Sequence, residues 1–379
     1  MNDEQTNDFP AKTCCHGHDA KPGDAPRSPE RRGFLKAASL GVGALGAAAA
    51  VPHELALVAE AQGAQLAQAQ TPAGETPIGA KWWPSRWGPD DQAGASNLMT
   101  PERVLAAARL IKTGKVYEIG RVYESGMPLF GERVFALRIP GAPTGGVFGK
   151  NQIVWHDEYL STEIGQVGTQ FDGLAHIGVA IKGAGNHDEM RFYNGFAETD
   201  IAGPYGMKKL GIENVKPIFT RGVLLDIQGL RGRMLNGGEE VGVADLTGAL
   251  QRQGLPASAI GEGDAVFIHT GWGALWMKDN AKYNSGEPGI GLAAARWLAE
   301  RRVVVVGADT WGVEAVPNPD PDLAFPAHQE LITRNGIFLH ENLDLGGLAA
   351  DRVNEFVYVM TPLRIKGATG SPGRPIAIV

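Results

Sequence analysis

Leu292-Ala-Ala-Ala-Arg-Trp-Leu-Ala-Glu-Arg301, followed almost at once by Val303-Val-Val-Val-Gly-Ala-Asp-Thr310, is the stretch that decides the fold. The first ten residues read as a helix with Ala295 and Leu298 facing inward. Four consecutive valines then form a strand, because β-branched side chains are stiff at χ1 and pack well on a pleated surface. The pattern recurs downstream. Pro326–Arg334 reads as a helix, with proline in its first turn and Gly336 just past its end. Ile337–Leu339 reads as the next strand and leads into His340 and Glu341. Helix, strand, helix, strand in this order predicts β-α-β units and parallel pairing.

Upstream, Gly222–Ile227 and Ala265–His269 are short apolar runs bounded by turn residues and read as buried strands. Val116–Val122 alternates like a strand. Thr100-Pro101 marks a helix start, with Val104, Leu105, Ala108 and Ile111 at helical spacing and Gly114 closing it. Trp82, Trp83 and Trp87 open the folded part after a polar linker from Ala69 to about Ile78. Several strands come before the first β-α-β unit without helices between them, so the sheet is expected to be mixed. The fold class is α/β.

The chain has 379 residues, 43% hydrophobic and 20% charged, and a formal net charge of -7. That composition is globular, and the acidic balance without a Lys/Arg cluster argues against a nucleic-acid partner. Residues Met1–Arg27 are polar and rich in Pro and Gly. Arg31-Arg32-Gly33-Phe34-Leu35-Lys36 follows, then an apolar run from Ala37 to Val51 that falls short of the ~20 residues a membrane-spanning helix needs. This order resembles a twin-arginine export signal, with Glu30 where Ser or Thr is more usual. It implies export to the periplasm in folded form, and no stable membrane association once the signal is removed. Small-x-small sites occur at both Ala59-Glu60-Ala61 and Ala67-Gln68-Ala69, which leaves the cleavage position open; residues 1–69 are assigned to signal and linker and 70–379 to the folded unit. Both cysteines, Cys14 and Cys15, precede the basic pair, so no thiol ligand, nucleophile or disulfide is expected beyond it.

Chemistry is concentrated in Gln166-Val-Gly-Thr-Gln-Phe-Asp-Gly-Leu-Ala-His176. In an extended segment, residues two and four apart share a face, so Gln166, Gly168, Gln170 and Asp172 are expected to point one way. His328 in a helix's first turn and Glu341 at a strand end are the partners to expect, since ligands bind at strand ends in α/β sheets. His340, next to Glu341, is expected on the opposite face. His269 ends a strand and reads as a core histidine, and His156-Asp157-Glu158 as a solvated loop. Gly183–Gly185 lacks the Lys-Ser/Thr of a phosphate loop.

Gly168-Thr169-Gln170-x-Asp172-x-x-x-His176 resembles the signature of the cyclase family, which includes kynurenine formamidase and isatin hydrolase. The likeness continues through Gly307-Ala308-Asp309-Thr310, His328…Gly336…Glu341-Asn342-Leu343, Pro362-Leu363 and Gly370-Ser371-Pro372-x-Arg374. It implies a single cyclase-like domain with a mixed, barrel-like sheet and flanking helices, of the swivelling β/β/α type, covering residues 70–379. This sequence has Gln166 and Gln170 where the signature has histidines, and Leu174 where it has proline. Carried over by position, one metal set is Gln166, Gln170 and Asp172, and a second is Asp172, His328 and Glu341.

Amide and carboxylate oxygens weaken a zinc site and suit Mn²⁺, Mg²⁺ or Ca²⁺, whereas Asp172, His328 and Glu341 suit Mn²⁺ or Zn²⁺. The metal ligands expected are therefore Gln170, Asp172, His328 and Glu341, with the number of ions open. The resemblance implies hydrolysis of an amide or lactone bond of a small carbonyl compound by metal-activated water. His176 is the expected base, acting with Glu341. Gln166, Trp87 and Trp155 are expected against substrate. A metal-dependent lyase or cyclase that abstracts a proton, and a non-catalytic periplasmic binding protein, remain alternatives. The resemblance also implies a homodimer or homotetramer.

Overall fold

The computed structural model describes residues 75–182 and 186–379. The segment expected to be an export signal, Cys14, Cys15 and Gly183–Gly185 lie outside them. Among the described residues, no helix is long and apolar enough to cross a membrane.

Nine strands form one sheet: β1 (Val116–Glu118), β2 (Gln170–Asp172), β3 (Ile218–Asp226), β4 (Ala265–His269), β5 (Val305–Ala308), β6 (Phe338–Glu341), β7 (Glu355–Met360), β8 (Gly370–Pro372) and β9 (Ile376–Ile378). Their order is β8-β2-β6-β5-β4-β3-β7-β9-β1, curled into a half-barrel. The four central strands, β3 to β6, are parallel. Antiparallel strands extend the sheet on both sides, with β2 on β6 and β7 on β3. The sheet is therefore mixed, as the run of early strands predicts.

The parallel centre is where the sequence is most apolar. Every residue of Ala265–His269 and of Val303–Ala308 is buried. Helices α1 (Pro101–Ala108), α2 (Val243–Arg252), α3 (Leu292–Glu300) and α4 (Pro326–His328, continued as a π-helix over Gln329–Arg334) flank the sheet. Ala294, Ala295 and Leu298 of α3 pack with Leu246, Ala249 and Leu250 of α2 and with Leu331 and Ile332 of the α4 continuation in one core. Thr100 caps α1 by accepting from the Arg103 N–H. The helix stops at Ala108, short of the Ile111 that apolar spacing suggests, and Ile111 is exposed. Once past the sheet, the spacing has no surface left to bury.

The α4 continuation ends in a tight, fully bonded turn. The N–H groups of Gly336 and Ile337 take up the carbonyls of Ile332 and Leu331. Gly336 sits at φ +64°, and a Cβ there would come within 2.5 Å of the Tyr193 ring and 3.1 Å of Gly94. Gly114 is also left-handed, at φ +73°, but nothing lies within 4 Å of its Cβ position. The left-handed backbone alone costs an L-residue about 1–2 kcal/mol. Gly336→Ala is therefore expected to lose clearly more stability than Gly114→Ala in urea unfolding, and equal losses would remove the packing argument.

Candidate metal centre

Pairing of β2 with β6 sets Asp172 opposite Leu339 and Gln170 opposite Glu341. Residues in register share a face, so Gln170, Asp172 and Glu341 project together while Phe171 and His340 point away. His340 is buried on that far side, bonded to the Tyr358 hydroxyl, and burial drives its pKa down to about 3. It stands opposite Glu341, as the alternation predicts.

His328 enters the same space from the first turn of α4. Its Nε2 lies 3.4 Å from Glu341 Oε1 and 3.8 Å from Asp172 Oδ2. One ligand atom from each of the three residues lies within 4.8 Å of the others. All three are buried, and Asp172 Oδ2 and Glu341 Oε1 accept no hydrogen bond. A buried carboxylate oxygen without a donor is costly. Two of them facing one imidazole nitrogen form a pocket for a cation.

The protonation states carry the same message. Burial and the Asp172 charge push Glu341 up to about 8. Burial opposes a charge on His328, but its bond to Glu314, the Glu341 carboxylate close by and the charges of both outweigh this and raise its pKa well above the usual range. Both shifts favour protonation of the cluster, and binding of a divalent ion there would displace those protons.

Glu314 fixes the geometry. Its Oε1 stands 2.5 Å from His328 Nδ1 and accepts from the His328 N–H at 2.9 Å, while its Oε2 accepts from the Ala327 N–H. With Nδ1 held by the Glu314 carboxylate, Nε2 is turned toward Asp172 and Glu341. The change from α to π winding directly after His328 fits a helix shaped around a site.

The two glutamines play parts other than ligation. Gln170 Nε2 donates to Asp172 Oδ1 at 2.7 Å, and its Oε1 accepts from the Gln166 backbone N–H. Flipping the amide would set donor against donor, so Gln170 braces Asp172 and offers no free oxygen to an ion. Gln170 was expected among the ligands; in this structure both of its polar atoms are engaged within the loop and with Asp172. Gln166 donates through Nε2 to Glu341 Oε2 at 2.8 Å, and its buried Oε1 accepts nothing. The segment is also not extended throughout. Gln166 and Gly168 are left-handed, at φ +59° and +60°, and only Gln170–Asp172 is strand. The glutamines reach the same carboxylates through a turn instead of by alternation. Only glycine fits at 168, where a Cβ would strike the Tyr123 ring at 2.5 Å.

His176 Nε2 lies 3.7 Å from Asp172 Oδ2, and its side chain is 23% exposed. It joins the buried cluster to solvent. Trp87 packs on the main core with Arg86 over its ring, and Trp155 is exposed on a hairpin. Neither has a ring or hydrogen-bond contact with the cluster. The aromatic flank is formed by Phe325, 5.3 Å from the His328 ring, then Trp311, which stacks on Phe130 at 4.7 Å. Glu287, buried beside this flank, accepts from the Trp311 N–H. Burial and then the Glu341 charge raise its pKa well above the usual range.

A separate cavity of about 740 Å³ opens at the carboxyl ends of β3, β4 and β5 and does not reach the cluster. Asp226, His269 and Asp309 line it, with His269 Nδ1 2.9 Å from Asp226 Oδ1 and Nε2 3.9 Å from Asp309 Oδ2. Asp309 itself accepts from Thr270, Gly271 and Gly273. His269 is buried and hydrogen-bonded, as a core histidine is expected to be, and its partner is the Asp226 carboxylate.

The sequence profile of the cyclase family matches residues 117–315, more than half of the chain. The chain belongs to the cyclase family. A crystal structure of a novel cyclase is 35% identical, with a TM-score of 0.67, and the match covers 78% of this chain and 98% of that one. Isatin hydrolase A from Ralstonia solanacearum is 22% identical with a TM-score of 0.52, covering 73% of this chain and 97% of its own. Isatin hydrolase A from Labrenzia aggregata, bound to benzyl benzoate, is 21% identical with a TM-score of 0.51, covering 70% and 93%. At such identities these two share the fold. No curated protein matches the chain. In this cyclase-family chain, His328 and Glu341 lie beyond the matched residues, so their place in the centre rests on the geometry itself.

Two outcomes are expected. Glu314→Gln keeps a hydrogen bond but loses the charge that holds His328, and should weaken metal binding about 10–100-fold in a calorimetric titration. Burial opposes the charged form of His269, but the bond to Asp226 and the charges of Asp309, Asp226 and Asp344 raise its pKa overall. Its contribution is then full below about pH 6.5, the unfolded value, and fades as pH rises through the higher folded value. The stability gap between the native protein and His269→Gln should be wider at pH 6 than at pH 9 in urea unfolding. A gap independent of pH would show that His269 is uncharged.

Proposed function

We propose that this cyclase-family protein is a metal-dependent hydrolase that cleaves an amide or lactone bond of a small carbonyl compound. One divalent ion, Mn²⁺ or Zn²⁺, is held by Asp172, His328 and Glu341. The observation that carries this reading is the pair of unpartnered, buried carboxylate oxygens facing His328 Nε2, with a half-open histidine beside them. One nitrogen and two carboxylate oxygens suit Mn²⁺ or Zn²⁺ better than the all-oxygen shell of Ca²⁺. The fold shared with isatin hydrolases supports hydrolysis.

A divalent ion in such a site acidifies water and polarises a carbonyl. The chain's own residues do the rest. His176, near Asp172 and open to solvent, accepts the proton of the attacking water as its oxygen bonds to the carbonyl carbon. It returns that proton to the leaving nitrogen or oxygen when the C–N or C–O bond breaks. Gln166, anchored to Glu341 through its amide nitrogen, keeps Oε1 free to accept a substrate N–H. Phe325, Trp311 and Phe130 supply an apolar wall for a flat substrate. The arginine-pair leader supports a periplasmic site of action.

Cyclic amides, lactones and N-formyl compounds offered with Mn²⁺ or Zn²⁺ test this directly. Turnover by the native protein is expected, with Asp172→Ala metal-free and inactive, and His176→Ala metal-loaded but slower by roughly 10²–10⁴-fold. Should the protein retain no divalent ion from supplemented medium, and Asp172→Ala change nothing, the hydrolase reading falls.

A further inference from the structure

Strands β3 to β6 run parallel, so all four end on one edge of the sheet, and ligands gather at that edge in α/β folds. Glu341, at the end of β6, serves the metal centre. Asp226 and His269, the last residues of β3 and β4, and Asp309, directly after β5, instead line the separate cavity of about 740 Å³. That volume is the size of a small-molecule site.

The polar centre of this cavity is one free imidazole nitrogen. His269 Nδ1 is held by Asp226 at 2.9 Å, which leaves Nε2 without a hydrogen-bond partner among the described residues. Asp309 Oδ2 stands 3.9 Å from Nε2, beyond hydrogen-bond reach, and already accepts from the Gly271 and Gly273 N–H groups. Oδ1 of the same carboxylate takes the Thr270 N–H and hydroxyl. Asp309 therefore needs nothing from His269, and Nε2 is left for an acceptor that the chain itself does not supply.

Charge says what that acceptor is. Six other charged side chains line the cavity, three of each sign: Arg121, Arg252 and Lys278 against Asp226, Asp309 and Asp344. The proton on His269 thus decides the balance, and it leaves one positive charge on a chain whose formal net charge is -7. Burial opposes that proton, but the bond to Asp226 and the charges of Asp309, Asp226 and Asp344 outweigh it and raise the pKa. Arg121 is engaged with the Gly273 and Leu343 carbonyls and lies 3.4 Å from Asp344, while Arg252 lies 3.4 Å from Asp226. Trp276, Leu345, Ala274 and Ala349 make the rest of the wall apolar.

We propose that this cavity binds a small organic carboxylate, with its anionic end on His269 Nε2 and its apolar body against Trp276 and Leu345. A monoanion matches the single positive charge. Inorganic phosphate, partly a dianion near neutral pH, would meet three aspartates with too little to offset them, and a bare ion would leave the apolar wall unused. The cavity shares no residue with the metal centre, so the proposal stands whether or not the hydrolase reading does.

Calorimetric titration of the full chain with phenylacetate, alongside inorganic phosphate, tests this. Saturable binding of phenylacetate is expected at pH 6. It should weaken roughly 10–100-fold at pH 9, as the pH rises through the raised His269 value, and by a similar factor at pH 6 in His269→Gln. Ala274 lines the cavity from an exposed turn, so Ala274→Trp fills the space at little risk to the fold and should block binding with His269 intact. Asp172→Ala should bind as the native protein does. Absence of saturable binding at millimolar phenylacetate overturns the proposal, as does an affinity that ignores both pH and Ala274→Trp. Loss of binding in Asp172→Ala would place the carboxylate on the metal centre instead, and tighter binding of phosphate would overturn the ligand class.

Discussion

Two carboxylates held side by side in a dry interior repel each other and lose their water, and a protein keeps them so only when something positive settles between them. Asp172 and Glu341 are in that position, and the strands leave them no escape. β2 is paired on both edges, to β6 and to β8, so Asp172 cannot rotate outward without breaking ladders on both sides. A slip of one residue would exchange Asp172 for Phe171 and put the charge into the apolar layer. The neighbouring loop is strapped down too. Asn342 donates to the Gly168 carbonyl, accepts from the Tyr283 hydroxyl, and takes the Thr169 hydroxyl on its own carbonyl. The strain of unpartnered charge is thus fixed in place, and the site is preorganised for a cation.

What could be read from the sequence depends on how local each feature is. The β-α-β half was legible because its strands are unbroken apolar runs between helices, and burial on both faces writes itself into composition. Asp172, His328 and Glu341 come together as expected, since strand ends and a first helical turn are places that sequence marks. Glu314 was not legible. It sits in an irregular segment with no period, and its importance comes from standing beneath a helix start fourteen residues on. Nor was the bracing of Asp172 by Gln170, whose residue type is equally compatible with ligation. The hairpin arm, where Phe135–Arg138 pairs with Tyr159–Thr162 and Gly145–Phe148 with Ile153–Trp155, escaped for another reason: its alternating apolar residues look like ordinary half-buried strands, and no pattern says that they stay exposed.

The centre divides its work between two parts of the molecule. Asp172, Glu341 and His328 are held by the sheet, α4 and Glu314, all within the buried interior. Gln166, Phe130 and the approach to them belong to the root of the arm, where burial is partial. The turn at Gly168 is the joint, with Tyr123 packed over it and its hydroxyl donating to the Thr169 carbonyl. Residues before the joint take their position from the arm, and residues after it from the sheet. Under the proposed hydrolase reading, changes in the arm would alter which substrate is accepted and leave an ion held by Asp172, His328 and Glu341 in place, because these three share no hydrogen bond with the arm except through Gln166. A rigid metal platform joined to a variable approach is what lets one fold serve unrelated small molecules. In this chain, the bond from Gln166 Nε2 to Glu341 Oε2 is the point where the two parts meet.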